Sequence, residues 1–175
     1  MCYITQRVVS EKEKKVNFFI CGFTGAGKTT FLKKLSVSEH LKIKEFELLD
    51  LDQVILENFS DYKSLADLIA DKGFSEFRKI ELKSIMKISL HGPTILALGG
   101  GSLRNDTIEA LKDWQGLWLN ETFETCYSRI CGDKSRPIAD LPKNELEKLY
   151  LERTSFYSRY KEIKTIGQVI EIICK

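Results

Sequence analysis

The chain has 175 residues, of which 43% are apolar and 30% charged, with a formal net charge of +2. That length and balance suit one globular domain with a buried core, and they exclude a disordered or fibrous chain. So small a charge gives no support to nucleic-acid binding through bulk electrostatics. Five cysteines (Cys2, Cys21, Cys126, Cys131, Cys174) are odd in number, scattered, and never in a Cys-x-x-Cys pair. They read as neither a disulfide framework nor a zinc site, and they fit a reducing cytosol. The N-terminal stretch lacks the apolar core of a signal peptide, and no apolar run approaches the ~20 residues of a membrane span. A cytoplasmic protein is expected, with no membrane and no nucleic-acid partner.

Residues 1–15 are polar and read as a short tail or an extra edge segment. Val16 to Cys21 is a short apolar run ended by glycine, which predicts a buried strand. It leads into Gly22-Phe23-Thr24-Gly25-Ala26-Gly27-Lys28-Thr29-Thr30, where every fixed position of the P-loop pattern is filled. Such a loop turns successive backbone N–H groups into one concavity, and the following helix adds its positive end, so phosphate oxygens find donors there. Lys28 is expected to reach the β/γ-phosphates and the Thr29 hydroxyl to ligate Mg²⁺. The helix predicted next runs from Thr29 to about Val37. A second apolar run, Glu45 to Leu51, ends in Asp50-Leu51-Asp52, two carboxylates at a strand terminus. One is suited to the magnesium water shell and the other to accepting a proton from an attacking hydroxyl. An ordinary acidic turn, with Asp52 capping a helix, is the plainer alternative.

A long helical region follows, with Leu56, Phe59, Leu65, Leu68 and Ile69 near helical spacing and Gly73 as punctuation. The next helix carries Phe74, Phe77, Ile80, Ile85 and Ile88 and stops near His91-Gly92-Pro93. On it, Arg78 and Glu81 are three apart and share a face; anywhere else they would read as a surface ion pair of little worth. Thr94 to Leu98 is a third strand, running into Gly99-Gly100-Gly101-Ser102. Three glycines let a substrate approach backbone closely, although a tight turn explains them equally well. A helix over Asn105–Lys112 with Asn105-Asp106 as cap, a strand over Gly116–Asn120 and a helix over Glu121–Cys131 are predicted next. Gly132-Asp133-Lys134-Ser135-Arg136-Pro137 is irregular. A long helix from Asn144 to about Tyr160, a short strand near Ile163–Ile166 and a closing helix to Cys174 complete the chain. Strands alternating with helices predict one α/β domain over 16–175, a parallel sheet with helices on both faces and its ligands beyond the strand carboxyl ends. His40 is read as solvated, His91 as capping or surface, and Trp114, Trp118, Cys126 and Cys131 as packing residues.

With these residues in view the chain resembles the shikimate kinase family, which is similar to the nucleoside monophosphate kinases. The matching elements are Gly-x-x-Gly-x-Gly-Lys-Thr at the phosphate loop, Asp50-x-Asp52, Gly73-Phe74-x-x-Phe77-Arg78-x-x-Glu81, Gly99-Gly100-Gly101, Asp133-Lys134-x-Arg136-Pro137, and Arg153 before Tyr157. The resemblance spans roughly residues 17–174. It implies a three-layer α/β/α fold of P-loop NTPase type with a central five-stranded parallel sheet. Substrate-binding helices would lie at about 53–90 and a mobile lid at about 132–143. It implies ATP as co-substrate, Mg²⁺, and shikimate as acceptor, in a monomer. Gly25, Ala26, Gly27, Lys28, Thr29 and Thr30 would hold the nucleotide phosphates, with Arg129 stacked on the adenine. Asp50 would sit beside Thr29 at the metal, and Asp52 would contact the ring hydroxyls and serve as base toward the 3-hydroxyl. Arg78 and Arg153 would grip the carboxylate beside Gly99, Gly100 and Gly101, with Glu81 orienting Arg78. Arg136, on the lid, would reach the transferred phosphate. The chain departs from the family pattern at Phe23, Thr24 and Ala26 in the loop, at Ile138-Ala139 after Pro137, and at Ser155-Phe156 before the tyrosine. Two alternatives are a gluconate-type sugar-acid kinase, which lacks the Asp-x-Asp with Gly-Gly-Gly pairing, and a nucleotide switch, which needs no carboxylate clamp.

Overall fold

The structure is a computed structural model that describes residues 16–90, 92–133, 136 and 138–174. The expectations for the tail at 1–15, for His91 and for the lid residues Lys134, Ser135 and Pro137 fall outside the described residues. Five strands, β1 (Phe18–Cys21), β2 (Glu47–Asp50), β3 (Thr94–Ala97), β4 (Gln115–Leu119) and β5 (Lys161–Ile163), form one sheet in the order β2-β3-β1-β4-β5. Every pairing is parallel. The helices are α1 (Lys28–Ser36), α2 (Leu51–Asn58), α3 (Leu65–Ile88), α4 (Asn105–Ala110), α5 (Phe123–Ile130), α6 (Lys143–Tyr157) and α7 (Ile166–Ile173). A short 3₁₀ turn, Ile43–Glu45, precedes β2.

The layers follow from side-chain alternation along strands buried on both faces. Phe19, Cys21, Leu96 and Leu98 point to one face and pack with Leu51 and Ile55 of α2, Leu68 and Ile85 of α3, Cys126 of α5 and Tyr157 of α6. Phe18, Ile20, Ile95, Ala97, Leu117 and Leu119 point to the other, against Phe31, Leu32 and Leu35 of α1 and Val169 of α7. In register, Ile20 and Asp50 each pair with Ala97. The ends of β1, β2 and β3 are therefore level, and the segments leaving them meet on one rim.

Three element expectations are corrected. The single helical region expected after Asp52 is two helices, because Ser64 caps a new one by accepting from Asp67 N at 3.1 Å. Gly73 is the punctuation expected: its non-helical backbone (φ 78°, ψ 158°) puts a kink inside α3, which is two helical stretches run together there. At α4 the N-cap position is Arg104, whose N–H donates to the Thr107 hydroxyl at 2.8 Å; of the expected Asn105-Asp106 pair, Asp106 still serves the first turn by accepting from Thr107 N at 2.8 Å. β5 lies earlier than expected, since Thr165 and Gln168 form a reciprocal capping box that commits Ile166 to α7. His40 is half-buried rather than solvated, and its Nδ1 has no hydrogen-bond partner.

Candidate active site

The phosphate loop stands where the sequence puts it, between β1 and α1. Gly25 adopts φ 85°, and a β-carbon there would lie 2.5 Å from the Cys126 carbonyl, so the loop's close seat on α5 admits only glycine. Lys28 is buried and spends two N–H donors inside the loop, on Gly22 O (2.8 Å) and Phe23 O (3.0 Å). This differs from a side chain extended toward a ligand: it clamps the loop and keeps one donor uncommitted to those carbonyls. Burial presses its pKa down, while the carboxylates of Asp52 and Asp50 oppose the fall. Arg129 donates to Gly25 O at 3.0 Å and flanks the loop on the outside.

Thr29 and Asp50 meet, the hydroxyl donating to Asp50 Oδ2 at 2.6 Å. Asp50 Oδ1 accepts from Asp52 N at 3.0 Å, which caps α2 and fixes the carboxylate. A hydroxyl and an ionisable carboxylate at the mouth of a phosphate loop are hard-oxygen donors, so the pair fits Mg²⁺. Asp52, in the first turn of α2, is half-buried beside Gly99, where a β-carbon would come within 2.7 Å of its Oδ1. Burial pushes its carboxyl up to about 6; Asp50 adds to the rise and Lys28 opposes it.

Across the rim the glycine run meets two arginines from distant helices. A β-carbon on Gly101 would lie 2.8 Å from Arg78 Nη2 of α3 and 2.9 Å from Arg153 Nη2 of α6, so the two guanidiniums converge on one corner. Arg153 donates to Gly100 O at 3.1 Å and rests over the Phe23 ring, 5.5 Å from its centroid. Tyr157 donates its hydroxyl to the same carbonyl at 2.6 Å. Phe23, a departure in the loop, is thus the platform under one half of the arginine pair. Gly100 lies so close to Thr24 that a β-carbon would strike its hydroxyl and sit 2.6 Å from its backbone N. The phosphate loop and the glycine run share a wall.

Glu81 is buried (1% exposed) and fully engaged. Oε1 accepts from the Ser102 hydroxyl at 2.5 Å, and Oε2 accepts from Arg78 Nη1 (2.5 Å) and Arg104 Nη1 (3.0 Å). Sequence reasoning missed Arg104, which reads as an ordinary charge before a helix. Arg136 bonds Asp133 through Nε at 2.8 Å, and its charge reaches Asp52. One cavity of about 570 Å³ is lined by Gly25, Gly27, Lys28, Thr29 and Thr30 of the loop, Asp50, Asp52, Arg78, Glu81, the three glycines, Arg129, Arg136 and Arg153. Ala26 is buried beneath the loop and does not line it. Cys126 packs in the core, whereas Cys131 is exposed.

The family model described as shikimate kinase matches residues 24–169. A shikimate kinase from Nostoc sp. strain PCC 7120 is 34% identical over 149 residues, 82% of this chain and 77% of that protein. One from Sulfurihydrogenibium sp. strain YO3AOP1 is 30% identical over 166 residues, 90% of this chain and 95% of its own. Among solved structures, a shikimate kinase from Acinetobacter baumannii in complex with shikimate superposes with a TM-score of 0.79 at 24% identity, covering 93% of this chain and 94% of that one. A gluconokinase from Sinorhizobium meliloti gives 0.53 at 12% identity, over 91% and 87%; at such identities the likeness is one of fold.

Proposed function

The chain belongs to the shikimate kinase family, and on that premise we propose which of its residues carry the reaction. The activity is ATP-dependent phosphorylation of the 3-hydroxyl of shikimate to shikimate 3-phosphate, a step toward chorismate and the aromatic amino acids, with ATP as co-substrate and Mg²⁺. The observation that carries the residue assignment is the convergence of Arg78 Nη2 and Arg153 Nη2 at Gly101, in the cavity that also holds Asp52 and the phosphate loop.

Phosphoryl transfer needs positioning and charge neutralisation more than covalent help. Arg78 and Arg153 bind the shikimate carboxylate, each presenting a planar donor edge that a lysine cannot reproduce. With the acid held at that corner, the ring hydroxyls face Asp52, which orients the 3-hydroxyl and accepts its proton. A carboxyl raised to about 6 is ionised at neutral pH yet basic enough to share a proton in the transition state. Loop backbone N–H groups and Lys28 hold the phosphates, and Arg129 flanks the nucleotide. Thr29 and Asp50 would hold Mg²⁺, which supplies neutralisation of the phosphate charge when bound. Arg136, anchored by Asp133, brings a further positive charge to the transferred group as the segment around 132–143 closes and excludes water. All these groups lie on one chain, which favours a monomer as the working unit. Among the described residues no helix is long and apolar enough to cross a membrane. That fits the cytoplasmic setting inferred from the scattered cysteines.

A coupled assay of ADP release, run with shikimate, with gluconate and with neither, tests the reading: release above background occurs with shikimate alone. Arg78→Ala raises the shikimate KM about a hundredfold and leaves the ATP KM within about twofold. Loss of ATP binding with unchanged shikimate affinity would overturn the assignment of Arg78.

A further inference from the structure

Arg104 has no part in the residue assignments above, and it does not line the cavity. Its side chain nevertheless crosses from the segment before α4 to α3 and touches both the Arg78 side of the corner and the glycine run. Nη1 donates to Glu81 Oε2 at 3.0 Å and lies 3.5 Å from the carbonyls of Gly101 and Ser102. Nη2 reaches the Arg78 carbonyl at 3.4 Å and Asp106 Oδ2 at 3.2 Å. The plain alternative is an arginine serving its own helix through Asp106. That partner is half exposed, however, and such a pair contributes little. The Glu81 arm ends on a carboxylate whose side chain is 2% exposed, where a charge-assisted bond is strong and an unpaired charge costly.

We infer that Arg104 is a positioning residue for shikimate recognition, holding Glu81 so that Arg78 turns its free edge toward Gly101. This rests on the reading of Arg78 and Arg153 as the carboxylate clamp. Two features give it force. Arg78 Nη1 and Arg104 Nη1 share one oxygen, Glu81 Oε2, while Ser102 takes the other. Arg78 is therefore not paired off by Glu81 alone: with Asp106 on Arg104 and Arg153 at the same corner, three guanidiniums face two carboxylates, a formal charge of +1 to attract an acid. Arg104 also ties the α3 backbone at Arg78 to the glycine run at Gly101, so the spacing between the clamp and the floor of the pocket depends on it.

The test is steady-state kinetics and calorimetric shikimate binding on the whole chain, with the thermal midpoint read alongside. Arg104→Met raises the shikimate KM and Kd about tenfold and leaves the ATP KM within about twofold. Arg104→Lys, one ammonium in place of a fork, gives an intermediate rise of about threefold and carries the test should the methionine variant not fold. In a Glu81→Gln background, Arg104→Met adds clearly less than its tenfold rise, because the part of the effect that runs through Glu81 is already lost. A lowered midpoint with unchanged shikimate KM, a parallel rise of both KM values, or additive penalties with Glu81→Gln would each overturn the inference. Arg78→Ala separates the two levels. If it weakens shikimate binding while Arg104→Met does not, the clamp stands and Arg104 falls; if it leaves shikimate binding unchanged, the clamp itself falls.

Discussion

Replacing Asp52 by asparagine gives up activity and gains stability in a way the structure makes quantitative. Burial, reinforced by Asp50, lifts this carboxyl from the 3.8 of an ordinary aspartate to about 6 in the folded protein. The folded pKa is the higher one, so between about pH 4 and pH 6 the folded state keeps a proton that the unfolded chain has released. The wild type consequently loses stability as pH rises through that window, and the loss is complete above it. At about 1.4 kcal/mol per pH unit the displacement corresponds to about 3 kcal/mol. Solvent reaching the half-buried carboxylate reduces this to on the order of 1–2 kcal/mol. Asparagine imitates the protonated acid. Asp52→Asn is therefore expected to match the wild type near pH 4 and to exceed its stability by about that amount at pH 7.5, measured by urea denaturation at both values. The same substitution lowers kcat by about 10²–10⁴, because the proton acceptor is gone. Wild-type kcat/KM for shikimate falls with unit slope below about pH 6. A variant less stable than the wild type at pH 7.5, or a difference that does not shrink toward pH 4, would refute the burial argument.

Two further outcomes follow from contacts in the loop and its neighbour. Lys28→Met removes both clamps on the loop carbonyls together with the buried charge, so kcat is expected to fall by more than about 10³; circular dichroism should show an intact fold, and activity within tenfold of the wild type would contradict the role. Gly100→Ala drives a methyl into Thr24, so it is expected to raise the KM values of ATP and shikimate together by about tenfold and to lower the thermal midpoint by several degrees, read by kinetics and scanning calorimetry. A change confined to one substrate would show that the two sites do not share that wall.

The phosphate loop was readable from sequence because each of its positions answers to a local requirement: a backbone angle, a close approach, a charge. Asp50 and Asp52 were readable for a similar reason, their spacing and their place at a strand end. Arg78 and Arg153 are different. Nothing local aims them at Gly101; they meet because α3 and α6 pack on the same sheet face, and only the family resemblance paired them beforehand. Arg104 lay beyond either route, since its partner Glu81 is 23 residues away and becomes buried only when α3 closes over the glycine run. The misplaced β5 has a related cause. The apolar signal at Ile163 and Ile166 looked continuous, but β5 buries Ile163 alone, with Lys161 and Glu162 exposed, and the cap at Thr165 starts a helix immediately after.

The bend at Gly73 has a stereochemical meaning. With φ 78° and ψ 158° the residue lies in territory that L-amino acids essentially never occupy, and asparagine, which tolerates the left-handed helical region, gains nothing there. Yet a β-carbon would meet no atom within 4 Å. Handedness alone therefore reserves the position, and a D-alanine introduced by chemical synthesis fits where L-alanine does not. The acid-gripping half of α3 takes its heading from that one achiral residue.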